Sequence, residues 1–175
     1  MVLEFGSGFS TSYFDRKGAI VISYEREKYW ILKLRPMISA RIDLRHFKDD
    51  TQDGDDDYFN AVIRSLRATN TVFDVLVVDV FPRPKTFELF AELVSDSGFI
   101  IFDNSDWYPE FFTELKSRND LLIVDFYGKA IGGIKDQCTS IIFKRENIFF
   151  SQRGGASKFT SGVISTHDRP LSWKD

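Results

Sequence analysis

The segment Val2-Leu3-Glu4-Phe5-Gly6-Ser7-Gly8-Phe9-Ser10 reads as a strand running into a glycine turn and then a helix. Val2–Phe5 is a short apolar run that stops abruptly at glycine. Gly6 and Gly8 permit positive φ and let a ligand approach bare backbone. In a doubly wound sheet such a turn opens at the carboxyl ends of the strands, where ligands bind. A nucleotide-like ligand suits that geometry, and two classes compete for it. A dinucleotide fingerprint needs a third glycine, G-x-G-x-x-G/A, with pyrophosphate over the helix N-terminus. Here the third position is Thr11, and Glu4 brings an acid to the same turn. A carboxylate is unfavourable beside pyrophosphate and favourable beside an ammonium or sulfonium group.

Outward from this turn, short apolar runs alternate with amphipathic segments. Ala19–Tyr24, Phe73–Val80, Gly98–Phe102, Leu121–Phe126 and Thr139–Phe143 read as strands, and Arg41–Leu44 is a weaker candidate. The near-continuous hydrophobicity of FDVLVVDV and GFIIF predicts strands covered on both faces. Helices are predicted at Ser10–Asp15, Glu25–Leu34, Tyr58–Arg67 and Thr86–Val94, and from Pro109 onward. Tyr58–Arg67 carries Phe59, Val62, Ile63 and Leu66 on one stripe, and Pro109 suits a first helical position. Strands alternating with helices predict right-handed βαβ units in an α/β, doubly wound sheet. Residues 1–150 read as one core domain and 151–175 as a polar, loosely docked tail.

A chain of 175 residues buries enough surface to fold without staples, and its single cysteine, Cys138, excludes an internal disulfide. That pattern points to a reducing compartment, and the expected location is cytoplasmic. No apolar run approaches the roughly 18 residues of a membrane span, and no signal-peptide pattern opens the chain. A net charge of -3 gives no general attraction to nucleic acid. Phenylalanine, at 18 residues, exceeds what an average core would need.

The run E-x-G-x-G at Glu4–Gly8 resembles the first motif of the class I S-adenosylmethionine-dependent methyltransferases. Three later segments resemble that family's motifs in the same order. Val21-Ile22-Ser23-Tyr24-Glu25, followed by Trp30, resembles the acid after strand two and its helix bearing an aromatic. Phe73–Asp79 resembles the fourth strand with its terminal acid, and Gly98–Asn104 resembles the fifth. The resemblance covers residues 2–145 and implies a mostly parallel seven-stranded sheet whose last strand is antiparallel. It implies cofactor contacts from Glu4, Phe5, Gly6, Ser7, Gly8 and Ser10, with Glu25 on the ribose hydroxyls and Asp79 at the reactive end. By position alone, Glu25 is equally a helix N-terminal acid favoured by the dipole.

Asp79, Asp103 and Asn104 further resemble the divalent-metal triad of catechol and caffeoyl-coenzyme-A type O-methyltransferases. Hard oxygen ligands at adjacent strand ends would suit Mg²⁺ or Ca²⁺ and lower a hydroxyl's pKa. The lysine those enzymes carry shortly after the strand-four acid is missing; the run reads Asp79-Val80-Phe81-Pro82-Arg83-Pro84-Lys85. Without a metal, Asp103 is a helix cap and Asn104 a turn residue. The loop Asp103–Pro109 resembles that of sugar-modifying methyltransferases, where Trp107 and Tyr108 would offer an aromatic platform or pack as core rings.

The resulting expectation is methyl transfer to a hydroxyl of a small molecule or sugar, with Asp79 as the catalytic residue. The alternatives are a non-catalytic scaffold of the same fold and, less favoured, an NAD-dependent oxidoreductase. Relatives with this motif order carry an N-terminal helical lid. Here the expected lid is the acidic loop Lys48–Asp57, the tail or another subunit of a homodimer, unless the chain is a truncated form. The EF-hand-like stretch Asp49–Asn60 lacks its bidentate glutamate. His46 and His167 have no companions at zinc spacing. The nucleic-acid methyltransferase signature after strand four is absent.

Overall fold

Val2–Phe5 forms β1, and all four side chains are buried. Leu3 and Phe5 belong to one apolar cluster and Val2 to another, so the strand is covered on both faces. The computed structural model describes residues 1–46, 55–68, 70–80, 82–129, 135–146 and 164–165. After β1 come α1 (Phe9–Arg16), β2 (Val21–Glu25), α2 (Lys28–Leu34), β3 (Ile42–His46) and α3 (Asp55–Ala68). They are followed by β4 (Phe73–Val78), α4 (Arg83–Phe90), β5 (Val94–Phe102), α5 (Pro109–Ser117), β6 (Leu121–Lys129), β7 (Asp136–Lys144) and β8 (Ile164–Ser165).

The strand order is β3-β2-β1-β4-β5-β7-β6-β8. The first five strands are parallel, and β7 inserts antiparallel to both β5 and β6. This is the expected doubly wound, mostly parallel sheet of seven strands with an antiparallel last member. The two-residue β8 adds a parallel edge beside Phe126 and Tyr127. It lies within the segment read as a polar tail, whose other residues fall outside the described ones. Of the predicted acidic loop, residues 48–54 fall outside them too, while 55–57 begin α3.

Among the element boundaries that differ from the sequence reading, two move a residue from helix to strand. Glu25 ends β2, where it pairs with His46, and α2 starts only at Lys28. The predicted helix Thr86–Val94 instead starts at Arg83, tightens to a 3-10 turn at Ala91–Leu93 and yields Val94 to β5. The cause is an irregular β4–β5 pairing. Phe73 opposes Val94, but Val75 opposes Phe99. Gly98 sits inside that irregularity, where a Cβ would lie 2.6 Å from the Asp74 carbonyl oxygen and 2.7 Å from Val94. Glycine permits the close approach.

The surplus of phenylalanine gathers on one face of the sheet. Phe5, Phe59, Phe73, Phe90 and Phe102 are fully buried there with Leu3, Leu76 and Val78. Phe5 and Phe90 have centroids 4.4 Å apart, and Phe102 meets Phe112 edge-on at 5.0 Å. Each such pair contributes about 0.5–1.5 kcal/mol beyond area burial. The opposite face is aliphatic: Val2, Val21, Ile31, Leu34, Ile42, Leu44, Val75 and Val77. No helix among the described residues is long and apolar enough to cross a membrane.

Candidate active site

The carboxyl ends of β1, β2, β4 and β5 lie side by side, and the strand order reverses between β1 and β4. Backbone bonds continue past the strand ends: Gly6 N–H donates to Tyr24 O at 2.9 Å, Asp79 N–H to Phe5 O at 2.8 Å, and Asp103 N–H to Val78 O at 3.1 Å. Gly6 has φ +94°, and a Cβ there would lie 2.8 Å from the Asp79 carbonyl carbon. Only glycine meets both conditions. Gly8 has φ -171°, an extended backbone open to any residue, and nothing lies within 4 Å of a Cβ placed on it.

Between these glycines the turn is tied to its surroundings by two carboxylates. Glu4 is fully buried and accepts bonds from Ser10 Oγ at 2.6 Å, Thr11 Oγ1 at 2.5 Å and Ser23 Oγ at 2.6 Å. Burial pushes its pKa up, opposed by those three hydroxyl donors. Glu4 therefore organises the turn from beneath. Thr11, which stands where a dinucleotide motif has its third glycine, also accepts the Gly8 N–H at 2.9 Å. Glu25 accepts the Ser7 N–H at 2.8 Å through Oε2 and the Glu27 N–H at 2.7 Å through Oε1. Ser7 and Ser23 meet hydroxyl to hydroxyl at 2.6 Å. Phe5 faces the apolar core, and Ser10 is exposed apart from its bond to Glu4.

The amides of Gly6, Ser7 and Gly8 are thus all engaged within the protein. A phosphate arriving at this turn would find those three donors already bonded and two carboxylates beside it.

Across the crevice, Asp79, Asp103 and Asn104 do come together, but around an arginine. Arg83 Nη2 donates to Asp79 Oδ1 at 2.5 Å and to Asn104 Oδ1 at 2.9 Å, and lies 3.8 Å from Asp103 Oδ2. The Arg83 side chain is only 10% exposed. Thr139 Oγ1 holds the other Asp103 oxygen at 2.8 Å. Asn104 adopts the left-handed conformation, φ 49°, that a short amide tolerates. The predicted metal triad does not fit a metal as it stands. Its oxygens converge on a guanidinium nitrogen, and no group of three or more His, Cys, Asp or Glu side chains suited to a metal occurs among the described residues. Burial and the adjacent Asp103 charge outweigh the Arg83 cation and raise the Asp79 carboxyl from 3.8 to about 6.

The aromatic pair after β5 divides. Trp107 is 60% exposed, with the Arg83 guanidinium 5.6 Å from its ring. Tyr108 is half-buried and packs edge-on against Phe102 at 5.8 Å. The turn carrying them is pinned to β7: Asp106 Oδ1 accepts the Cys138 N–H, and Ser105 Oγ donates to Cys138 O. His46 places Nε2 3.1 Å from Arg26 O. A cavity of about 740 Å³ opens at the opposite, amino end of β5 between Phe99, Leu121 and Phe143. Of its rim cations, Arg118 and Lys144 pair with Asp120 and Asp96, and Arg145 donates to the carbonyls of Asn119 and Leu121.

Sequence reasoning missed Thr11, Ser23 and Arg83. Hydroxyl residues facing an acid three to twenty positions away carry no distinctive pattern. Arg83 had one signal, its position four residues after Asp79 at the start of a helix.

The strand order, the antiparallel β7 and the position of the glycine turn define the class I methyltransferase fold. Solved structures with this fold include an O-methyltransferase from Bacillus cereus in complex with SAH. It is 16% identical, with TM-score 0.63, covering 82% of this chain and 73% of that one. The O-methyltransferase TomG from Streptomyces achromogenes, in complex with SAM, is 15% identical with TM-score 0.62, covering 82% and 72%. A ribosomal protein L11 methylase from Lactobacillus delbrueckii is also similar, at 15% identity and TM-score 0.51, covering 82% and 68%. No protein-family model matches the chain, and no curated relative does.

Proposed function

We propose that this chain is an S-adenosylmethionine-dependent methyltransferase acting on a hydroxyl of a small molecule or sugar. The observation that carries the reading is the glycine turn, with its three amides engaged and Glu4 and Glu25 beside it. Such a turn suits a cofactor bearing positive charge and disfavours the pyrophosphate of a nicotinamide dinucleotide. The SAM- and SAH-bound structures of the same fold support it.

Each oxygen of Glu25 carries one backbone donor, which leaves lone pairs for two ribose hydroxyls. When bound, S-adenosylmethionine supplies an electrophilic methyl on a sulfonium. Asp79, at the end of β4, takes the proton of the acceptor hydroxyl; a carboxyl near 6 is ionised at neutral pH yet basic enough to serve. The exposed Trp107 ring offers the acceptor an apolar face. Positioning and local charge then supply most of the acceleration.

Calorimetry with S-adenosylhomocysteine tests the reading: saturable binding is expected, and none at millimolar ligand would overturn it. A parallel NADH titration should stay silent. Binding of S-adenosylhomocysteine without turnover across a broad panel of hydroxyl acceptors would favour the scaffold alternative.

A further inference from the structure

We propose that Arg83 is a built-in replacement for a divalent metal, so that the acceptor end of this site operates without one. The inference rests on the methyltransferase reading only for the acceptor's identity; the charge arrangement stands by itself.

Three residues, Asp79, Asp103 and Asn104, present oxygens from the ends of β4 and β5 toward one point. Arg83 Nη2 is at that point, within 2.9 Å of two of them and 3.8 Å from the third. A magnesium ion needs near-octahedral oxygen at about 2.1 Å, which a nitrogen in that position prevents. Arg83 is not a loose surface group: its side chain is nine-tenths buried, and its Nε–H has no partner among the described residues. Trp107 lies beside it, and the Asn104 amide oxygen fixes its fork.

A single fixed positive charge differs chemically from a dication. It neutralises one of the two carboxylates and positions the other, but it coordinates nothing and cannot gather two hydroxyls by chelation. Proton removal from the acceptor therefore falls to Asp79, and the site has no excess of positive charge to attract an anionic acceptor. The acceptor class that fits is a neutral, non-chelating hydroxyl compound.

The test is a Mn²⁺ titration of the full chain, followed by electron paramagnetic resonance, with wild type, R83M, R83K, D103N and the double variant R83M/D103N. Wild type and R83K should show no saturable site below millimolar Mn²⁺, and their thermal midpoints should match in EDTA and in MgCl₂. R83M, with the cation removed, should gain one Mn²⁺ site at least about tenfold tighter, and D103N in the same chain should abolish it. A wild-type site of one equivalent that D103N removes would overturn the proposal. A Mn²⁺-silent but folded R83M would overturn it too, because the oxygens would then not form a cation site. Should R83M fail to fold, wild type and R83K decide the matter. None of these readouts needs a cofactor, so failure of S-adenosylhomocysteine to bind would count against the proposed function and not against this one.

Discussion

The Ser7 backbone N–H donates to Glu25 Oε2 at 2.8 Å, binding the glycine turn after β1 to the end of β2. The carboxylate that the ribose would use is therefore also a strut of the turn. Glu25→Ala should weaken S-adenosylhomocysteine binding by at least about tenfold, since bonds to a charged acceptor are worth roughly 1.5–3 kcal/mol each. It should also lower the thermal midpoint. An unchanged Kd by calorimetry would remove Glu25 from the cofactor site.

Gly6→Ala and Gly8→Ala should separate stability from binding. At Gly6 the added methyl meets both a positive φ and the Asp79 carbonyl, so the loss should exceed about 2 kcal/mol. At this chain length that is a midpoint drop of about 2–4 °C per kcal/mol. Gly8→Ala meets no protein atom within 4 Å and should leave the midpoint almost unchanged while reducing ligand affinity. Equal midpoint losses in the two variants would refute this division.

Asp79 supplies a pH signature. Its folded pKa, about 6, lies above its ordinary 3.8, so its stabilising contribution is present in acid and fades as pH rises through about 6. Glu4 is shifted in the same direction by burial, so the wild-type curve alone does not isolate Asp79. The wild-type-minus-Asp79→Asn difference in thermal midpoint should therefore slope downward between about pH 4 and 6. A flat difference would contradict it. The same titration predicts that kcat/KM rises with pH across that interval, and that Asp79→Asn removes the rise.

A fourth prediction concerns the support beneath the Trp107 turn. Asp125, buried in β6, accepts Lys116 Nζ and Ser140 Oγ at 2.6 Å each, and Ser140 Oγ lies 2.7 Å from Ser105 Oγ. Asp125→Ala removes the shared acceptor of Lys116 and Ser140, and denaturant unfolding should show a loss of about 1–3 kcal/mol. A Lys116→Met change, at a side chain 40% exposed, should cost less.

The elements that periodicity read most directly were the buried strands: FDVLVVDV and GFIIF announced central parallel strands, and the glycines announced the turn at the carboxyl end of β1. Glu25's place beside the glycine turn was legible because its distance from Gly8 puts it at the end of the neighbouring strand. What stayed hidden was tertiary. The Val94 boundary depends on an irregular pairing with Phe73 that no local pattern records. Thr11 looked like a missing glycine, yet it holds both Glu4 and the Gly8 amide. The role of Arg83 is not local, because Asn104 and Asp103 reach it from the end of another strand.

Under the proposed function, the close approach of Gly6 to the Asp79 carbonyl makes the methyl donor's seat and the acid that would face the acceptor share one backbone junction, with no side chain between them to absorb a change. A designer who shifted Asp79 to admit a new acceptor would tilt the donor's seat with it. Specificity in this chain is better retuned from Trp107, whose exposed ring can be exchanged without disturbing that hinge.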